Sequence, residues 1–256
     1  MRLVLVSPSS GSANVLYALA QNKVNGNGYL FSIALNPATN KLAVSSVFNF
    51  TGQSGASPVV VTPSVSGLST NLILLHVPGL SGDATPQNRL LGLADSSTGF
   101  QKSWEIPLAA PLVHAPTVDQ GSMSLFYHLN YSPIIYQRQL ATGTQIGSFN
   151  LGAIAGAPSP FRLNSHLGAS QSGSVFTLIV GGQYTSSPGV GAQYVMAFQP
   201  IASPTALVWS SQISNVPATY LAAWNFAPSS QTGIVCPIAI ADDTSGGSAI
   251  VRLCDF

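Results

Sequence analysis

Groups able to do acid–base, nucleophilic or metal chemistry are scarce in this chain, so their positions are informative. The 256 residues hold seven acids, Asp83, Asp95, Glu105, Asp119, Asp242, Asp243 and Asp255, with four histidines and two cysteines. General acid–base catalysis and metal binding both need such groups to converge. The adjacent pair Asp242-Asp243 lies in "ADDTSGG". A calcium loop would continue with oxygen ligands at alternating positions and a closing glutamate; none follows, and the pair reads as a solvated hairpin turn. His76, His114, His128 and His166 show no His-x-x-x-His spacing, so zinc is unsupported. His114 opens an expected inner strand and is a candidate to face a central channel. No Gly-x-Ser-x-Gly elbow marks a nucleophilic serine. "GNGYL" and "GGQYTSSPGVG" are loops without the following helix that a phosphate cradle requires. The expectation is a chain without catalytic, metal-binding or cofactor-binding residues.

Three other sets of residues point to binding or modification. In "YLAAWNF" strand alternation puts Tyr220, Ala222, Trp224 and Phe226 on one face. That face is either apolar core or an aromatic platform, Trp224 with Tyr220, on which a sugar ring stacks. Cys236 and Cys254 flank the "ADDTSGG" loop symmetrically about residue 245. They are expected opposite each other on adjacent strands, either as a disulfide of an oxidising compartment or as two buried thiols. Asn49-Phe50-Thr51 and Asn130-Tyr131-Ser132 are N-glycosylation sequons, and Pro133 makes the second a poor acceptor.

Composition narrows the class. Charged residues are 6% of the chain and the net charge is +1, against roughly 25% charged in ordinary soluble domains. The eight Lys and Arg are scattered, which excludes the clustered basic face of a nucleic-acid binder. No apolar run approaches the ~18 residues of a membrane span. "MRLVLVSPSS" has too short an apolar stretch for a signal peptide. A surface rich in Ser, Thr, Asn and Gln but near neutral resists self-association poorly. The composition suits an extracellular or cell-surface protein that is glycosylated, assembled into something larger, or both.

These residues must be positioned by strands. Apolar residues alternate or come in short runs cut by Gly, Pro and Ser, the all-β pattern. "SPVVVTP", "TNLILLHVP", "NRLLGLA" and "KSWEIPL" follow one another between residues 57 and 107. The same four-part unit lies over residues 2–50, 114–151 and 157–213, and three parts of it over 218–256. A four-stranded unit recurring every ~40–55 residues is the mark of a β-propeller. The expected fold is one all-β domain, residues 1–256, of about five four-stranded antiparallel blades. The last blade lacks its fourth strand, which leaves an edge at Ser248–Cys254 open to another chain.

"LADSSTGFQKSW", residues 93–104, sits at the turn between the third and fourth strands of the second unit. Asp95, Thr98, Gly99 and Trp104 there are similar to the Ala-x-Asp-x-x-Thr-Gly-x-x-x-Trp repeat of pyrroloquinoline-quinone-type, or quinoprotein-like, propellers. Leu93 stands in the Ala place and one extra residue precedes the Trp. Worn copies follow the same order: Ala34, Asn36, Thr39 and Asn40; Thr142 and Gly143; Ala197, Gln199 and Trp209; and Asp255. The resemblance implies that Trp104 and Trp209 dock one blade on the next, with Asp95, Thr98 and Gly99 as the further docking residues of the motif. Aspartate suits a turn because its carboxylate accepts from the backbone two residues on. Quinoprotein dehydrogenases add a quinone, a calcium with carboxylate ligands and a catalytic aspartate, and this chain offers few acids for such a site. The functional expectation is therefore a non-catalytic extracellular structural or binding module, self-associating through an open sheet edge. A carbohydrate-binding propeller using Trp224 is one alternative, and a degenerate quinoprotein-type enzyme is the other.

Overall fold

The computed structural model describes residues 2–6, 15–36, 38–63, 68–154, 160–163, 165, 167–172, 175–187, 190–200, 206–214, 222–224, 238–242 and 248–252. Five antiparallel sheets follow one another along them. The first is β1 (Arg2–Val6), β2 (Val15–Gln21), β3 (Asn27–Asn36) and β4 (Lys41–Thr51). The second is β5 (Val59–Val61), β6 (Asn71–Val77), β7 (Arg89–Ser96) and β8 (Gly99–Pro107). The third is β9 (Thr117–Asp119), β10 (Ser124–His128), β11 (Ile134–Gln139) and β12 (Gln145–Asn150). The fourth holds β13 (Phe161–Leu163), β14 (Gly168–Ser172), β15 (Val175–Ser187), β16 (Val190–Gln199) and β17 (Ala206–Ser214). The fifth holds β18 (Ala222–Trp224), β19 (Ile238–Asp242) and β20 (Ser248–Arg252). Within each sheet the strands run in chain order from one edge to the other, the up-and-down blade of a β-propeller. The fold class read from the strand pattern is the one observed.

The fourth sheet departs from the reading in one respect. The four-part unit over residues 157–213 assigns no strand to "GASQS", where Gly and Ser disfavour strands. Residues Gly168–Ser172 nonetheless pair with Val175–Ile179, while Phe161–Leu163 pair with Gly182–Tyr184. Both segments hydrogen-bond to the long β15, so this sheet has an inner edge built in two pieces. Backbone pairing offered by a neighbouring strand outweighs a propensity scale of about 1 kcal/mol.

The chain divides into two compact units, Met1–Ala115 with Gln139–Thr144, and Pro116–Arg138 with Gln145–Phe256. In the first unit, the core joins Tyr17, Leu19, Leu30 and Phe50 of the first sheet to Ile73, Leu75, Leu91 and Leu93 of the second. Period-two alternation supplies each of these, since β6 and β7 carry them at every second position. The intervening residues of β6 are also buried, so the central strand reads as a continuous apolar run. In the second unit Phe126, Ile135, Phe161, Leu178, Met196 and Phe198 form the core, with the Phe126 and Phe176 rings stacked at 5.5 Å.

Candidate functional site

Asp95 is the sequence-flagged residue with the richest surroundings. The hairpin between β7 and β8 is tight: Ser96 pairs with Gly99, leaving Ser97 and Thr98 at the tip. Gly99 takes φ +106°, a conformation closed to most side chains. The tight turn keeps Asp95 inside the strand, paired with Phe100. Alternation then puts its carboxylate on the same face as Leu91 and Leu93, at the rim of the first unit's core. There Asp95 Oδ2 accepts from Tyr17 Oη at 2.8 Å and from Ser32 Oγ at 2.8 Å. Ser46 Oγ lies 3.5 Å from Oδ1. Asn71, the cross-strand neighbour of Asp95, donates from Nδ2 to Tyr17 Oη at 2.8 Å. Ser45 Oγ donates to the Ser32 carbonyl at 3.0 Å.

The role assigned to Asp95 as the turn-setting residue is therefore corrected. Ser96 sets this turn: its Oγ accepts from the Thr98 amide at 3.3 Å and donates to the Gly99 carbonyl at 2.8 Å. Thr98 is exposed and its hydroxyl lies 3.0 Å from Ser96 Oγ. In the first sheet the corresponding turn is longer, with Asn36 pairing Lys41. Asn36 Oδ1 there accepts from the amides of Ala38 and Thr39, and Asn40 takes φ +52°. One motif position thus serves the turn in one sheet and ties two sheets together in the next, because the turns differ in length.

The Asp95 cluster is electrostatically quiet. Burial raises the pKa of the Tyr17 phenol; the bond from Asn71 opposes this and the Asp95 carboxylate reinforces it. Tyr17 stays a neutral donor, suited to holding a carboxylate in place. Neither Tyr17 nor the three serines supplies a positive charge.

Trp104 forms the second site. It pairs with Gly92 across β7 and β8, on the face of the second sheet opposite Asp95. Its indole lies flat over Gly92: a Cβ built there would come within 2.2 Å of Trp104 Cε2. Beyond the ring is the β11–β12 turn, Gln139–Thr144, which belongs to the same compact unit. A Cβ on Gly143 would sit 3.0 Å from Trp104 Cδ2. The indole Nε1 donates to the Leu140 carbonyl at 2.9 Å. Trp104 is 7% exposed. Bulk, ring stacking over glycine and a buried donor together make it a docking residue. A similar device recurs where Phe50 covers its cross-strand partner Gly28 and where Phe161 covers Gly182 from a diagonal position, a strand glycine admitting the ring.

Other titratable groups serve the local structure. Arg89 binds Asp83 and Glu105, and Lys102 reaches Glu105 Oε2 at 2.6 Å. The bond from Arg89 holds Asp83 below the usual carboxylate range, and the bond from Lys102 does the same for Glu105. Asp119 accepts from the Gly121 amide and the Ser122 hydroxyl, closing the β9–β10 turn. His114 precedes β9 instead of opening it and is 5% exposed.

His76 is buried, with Nδ1 accepting from the Gly55 amide at 3.1 Å and Nε2 donating to Asn88 Oδ1 at 3.3 Å. Burial lowers its pKa, against the bond to Asn88. A folded pKa below the unfolded value of about 6.5 means that the unfolded chain binds the proton more readily. Stability supplied by neutral His76 is present above about pH 6.5 and is lost as the pH falls. Urea denaturation at pH 7.5 and pH 5.5 is expected to show a larger acid loss in the wild type than in His76→Gln. Equal losses would contradict the assignment.

Several flagged residues fall elsewhere. Asn49 is exposed on β4, and Asn130 is exposed in the β10–β11 turn beside Tyr131, which takes φ +58°. The backbone of Trp209 pairs with Ala197, and that of Trp224 with Ile238, while both side chains lie outside the described part. Tyr220, Cys236, Cys254, Asp243 and Asp255 lie outside the described residues altogether. Tyr17, Ser32, Ser46 and Asn71 around Asp95, and Gly92 and Leu140 around Trp104, carry no signal as a set in the sequence. Gly92 alone, in "LLGLA", is a lone strand glycine of the kind that marks a close approach.

No protein-family model and no curated protein matches the chain. Among solved structures, BamB from Moraxella catarrhalis aligns over 97% of this chain and 68% of its own, at 12% identity and TM-score 0.44. Saccharomyces cerevisiae Sqt1 aligns over 94% and 69%, at 10% identity and TM-score 0.45. The WD40 domain of SCAP from fission yeast aligns over 100% and 66%, at 10% identity and TM-score 0.45.

Proposed function

We propose that this chain is a non-catalytic structural or binding module that works outside the cell and assembles with copies of itself. What supports the reading is the engagement of the four acids whose side chains are described. Asp83 and Glu105 hold Arg89, Asp95 holds Tyr17 and Ser32, and Asp119 holds its own turn. An acid that acts as a base or a metal ligand must aim free lone pairs at substrate or ion. These four aim theirs at neighbouring protein donors, the cluster around Asp95 joins the first sheet to the second, and Trp104 ties the second sheet to the Gln139–Thr144 turn of the same unit. The extracellular setting is supported by the hydroxyl-rich, low-charge composition and by the exposure of both sequon asparagines.

The test is chemical analysis of protein purified from its native source, together with a glycan array. Protein free of stoichiometric calcium and quinone, and silent on the array, is the expected result. Bound calcium or quinone would restore the quinoprotein-type enzyme, and specific glycan binding would restore the lectin reading that rests on Trp224 and Tyr220. Self-assembly through the edge of β20 is tested by light scattering with a proline scan of Ile250–Leu253, since prolines at the alternate positions whose N–H faces outward delete edge donors.

A further inference from the structure

The stretch "NKVNGNGYL" holds two Asn-Gly steps, Asn25-Gly26 and Asn27-Gly28, and the fold treats them differently. Asn25 belongs to the tip of the β2–β3 hairpin, which is closed at its base by the bond from the Asn22 amide to the Asn27 carbonyl at 2.8 Å. Residues 21–25 are exposed, Val24 to 95%. Gly26 takes φ +72°, and a Cβ built on it would meet nothing within 4 Å. Asn25 Oδ1 accepts from the Asn27 amide at 3.0 Å. That bond closes a ring around Gly26 and folds the Asn25 carboxamide back over the Gly26 peptide. Asn27-Gly28, by contrast, lies inside β3, which is paired on both sides. Gly28 sits opposite Gln21 of β2 and Phe50 of β4, and Asn27 opposite Thr51. Gly28 is buried beneath the Phe50 ring.

We propose that Asn25 is a site of spontaneous succinimide formation, through which the folded protein acquires a carboxylate at the hairpin tip. The Gly26 amide loses its proton to solvent hydroxide, and its nitrogen attacks Asn25 Cγ. The new C–N bond closes a five-membered ring, and the side-chain nitrogen leaves as ammonia. Water then opens the ring at either of its two carbonyls, which leaves aspartate or isoaspartate in place of Asn25. Water is the only co-reactant. Glycine at the attacking position leaves the ring uncrowded, because it brings no Cβ. The step requires the Gly26 N–H to leave the Asn22 carbonyl, which it reaches at 2.9 Å. At an exposed hairpin tip that opening is local fraying, at the low end of the range of opening free energies. At Asn27 the same ring requires rotation of a backbone that is paired on both sides, and so the opening of the sheet. The fold thus singles out one of two identical dipeptides. One new negative charge takes the net charge from +1 to zero, a condition that favours association. The isoaspartate product also lengthens the main chain at the tip.

This chemistry is independent of the proposed function, so neither result of its test bears on the non-catalytic reading. The experiment is prolonged incubation of the purified protein at physiological temperature, at pH 7.5 and pH 8.5. Conversion is followed by peptide mapping with tandem mass spectrometry and by isoelectric focusing. The samples are the native wild type, the wild type in denaturing urea, Asn25→Gln, and Asn25→Asp as the charge standard. Unchanged melting temperatures establish that the variants fold. The native wild type is expected to accumulate an acidic form that focuses with Asn25→Asp, and faster at the higher pH in proportion to hydroxide. Conversion at Asn25 should outpace that at Asn27 by ~100-fold or more, because a hairpin tip opens almost freely while a buried, paired strand opens only at a large share of the global stability. In urea the two sites should convert at similar rates. Asn25→Gln should lose the acidic form. A native protein that keeps Asn25 intact while the urea sample converts overturns the proposal, and so does equal conversion of Asn25 and Asn27 in the native state. An Asn27 that lags as far behind in urea overturns the fold as the cause of the selection.

Discussion

Trp104→Ala is expected to cost about 3–5 kcal/mol of stability, the range for removing a buried large aromatic. Truncation leaves a cavity between Gly92 and Gly143, two residues with no side chain to fill it. It also strands the Leu140 carbonyl, which accepts from the indole at 2.9 Å. Trp104→Phe keeps most of the bulk but not the donor, so it should cost roughly 1–3 kcal/mol of hydrogen bonding and desolvation in addition to the smaller volume loss. Gly92→Ala tests the same contact from below, since its Cβ would meet the ring at 2.2 Å. Overpacking of this kind costs about 1–3 kcal/mol. In the Trp104→Ala background the same methyl group enters empty space, and its penalty should vanish. Urea melts of the two single variants and the double variant measure that coupling. Additive losses would show that the ring does not rest on Gly92.

Removing the Asp95 carboxylate should have the second-largest effect. Asp95→Ala takes the acceptor from Tyr17 and Ser32 at once, leaving two donors at the core rim for a loss of about 2–4 kcal/mol. Asp95→Asn is the informative contrast. Both hydroxyls donate to the same oxygen, Oδ2, and an amide oxygen in that place retains both bonds without the charge. Its loss should be about 1 kcal/mol, the difference between a charge-assisted and a neutral bond. Tyr17→Phe combined with Asp95→Ala should cost less than the sum of the single changes, because each deletes the same bond. Chemical denaturation at neutral pH measures the three single variants and the double variant. An Asp95→Ala protein within ~0.5 kcal/mol of wild type would place it with ordinary surface substitutions and remove the tie between the sheets.

The strand order was legible because burial imposes a period of two, and Gly, Pro and Ser mark the turns. "TNLILLHVP" and "NRLLGLA" announced β6 and β7 on those grounds alone. The two-piece inner edge of the fourth sheet was not legible, since Gly168–Ser172 is a strand only because β15 extends far enough to pair with it. Trp104 was singled out by its repeat position, and it is buried. Its hydrogen bond to Leu140 was not legible, because that partner lies 36 residues away on another turn.

Asp95 marks the boundary between the two kinds of information. By itself the sequence determined that this chain folds as consecutive antiparallel sheets, that its surface carries little charge, and that an acid stands just before a tight turn. Those properties follow from composition and from short-range periodicity, which act over a few residues. Only the tertiary structure decided what the acid does. Pairing register put Asp95 on the core face, and the packing of two sheets brought Tyr17 and Ser32, 78 and 63 residues away, within 2.8 Å. The same packing decided which face of the first sheet was buried and which was left exposed. Both outcomes depend on how sheet faces meet, and no local pattern along a chain records that geometry.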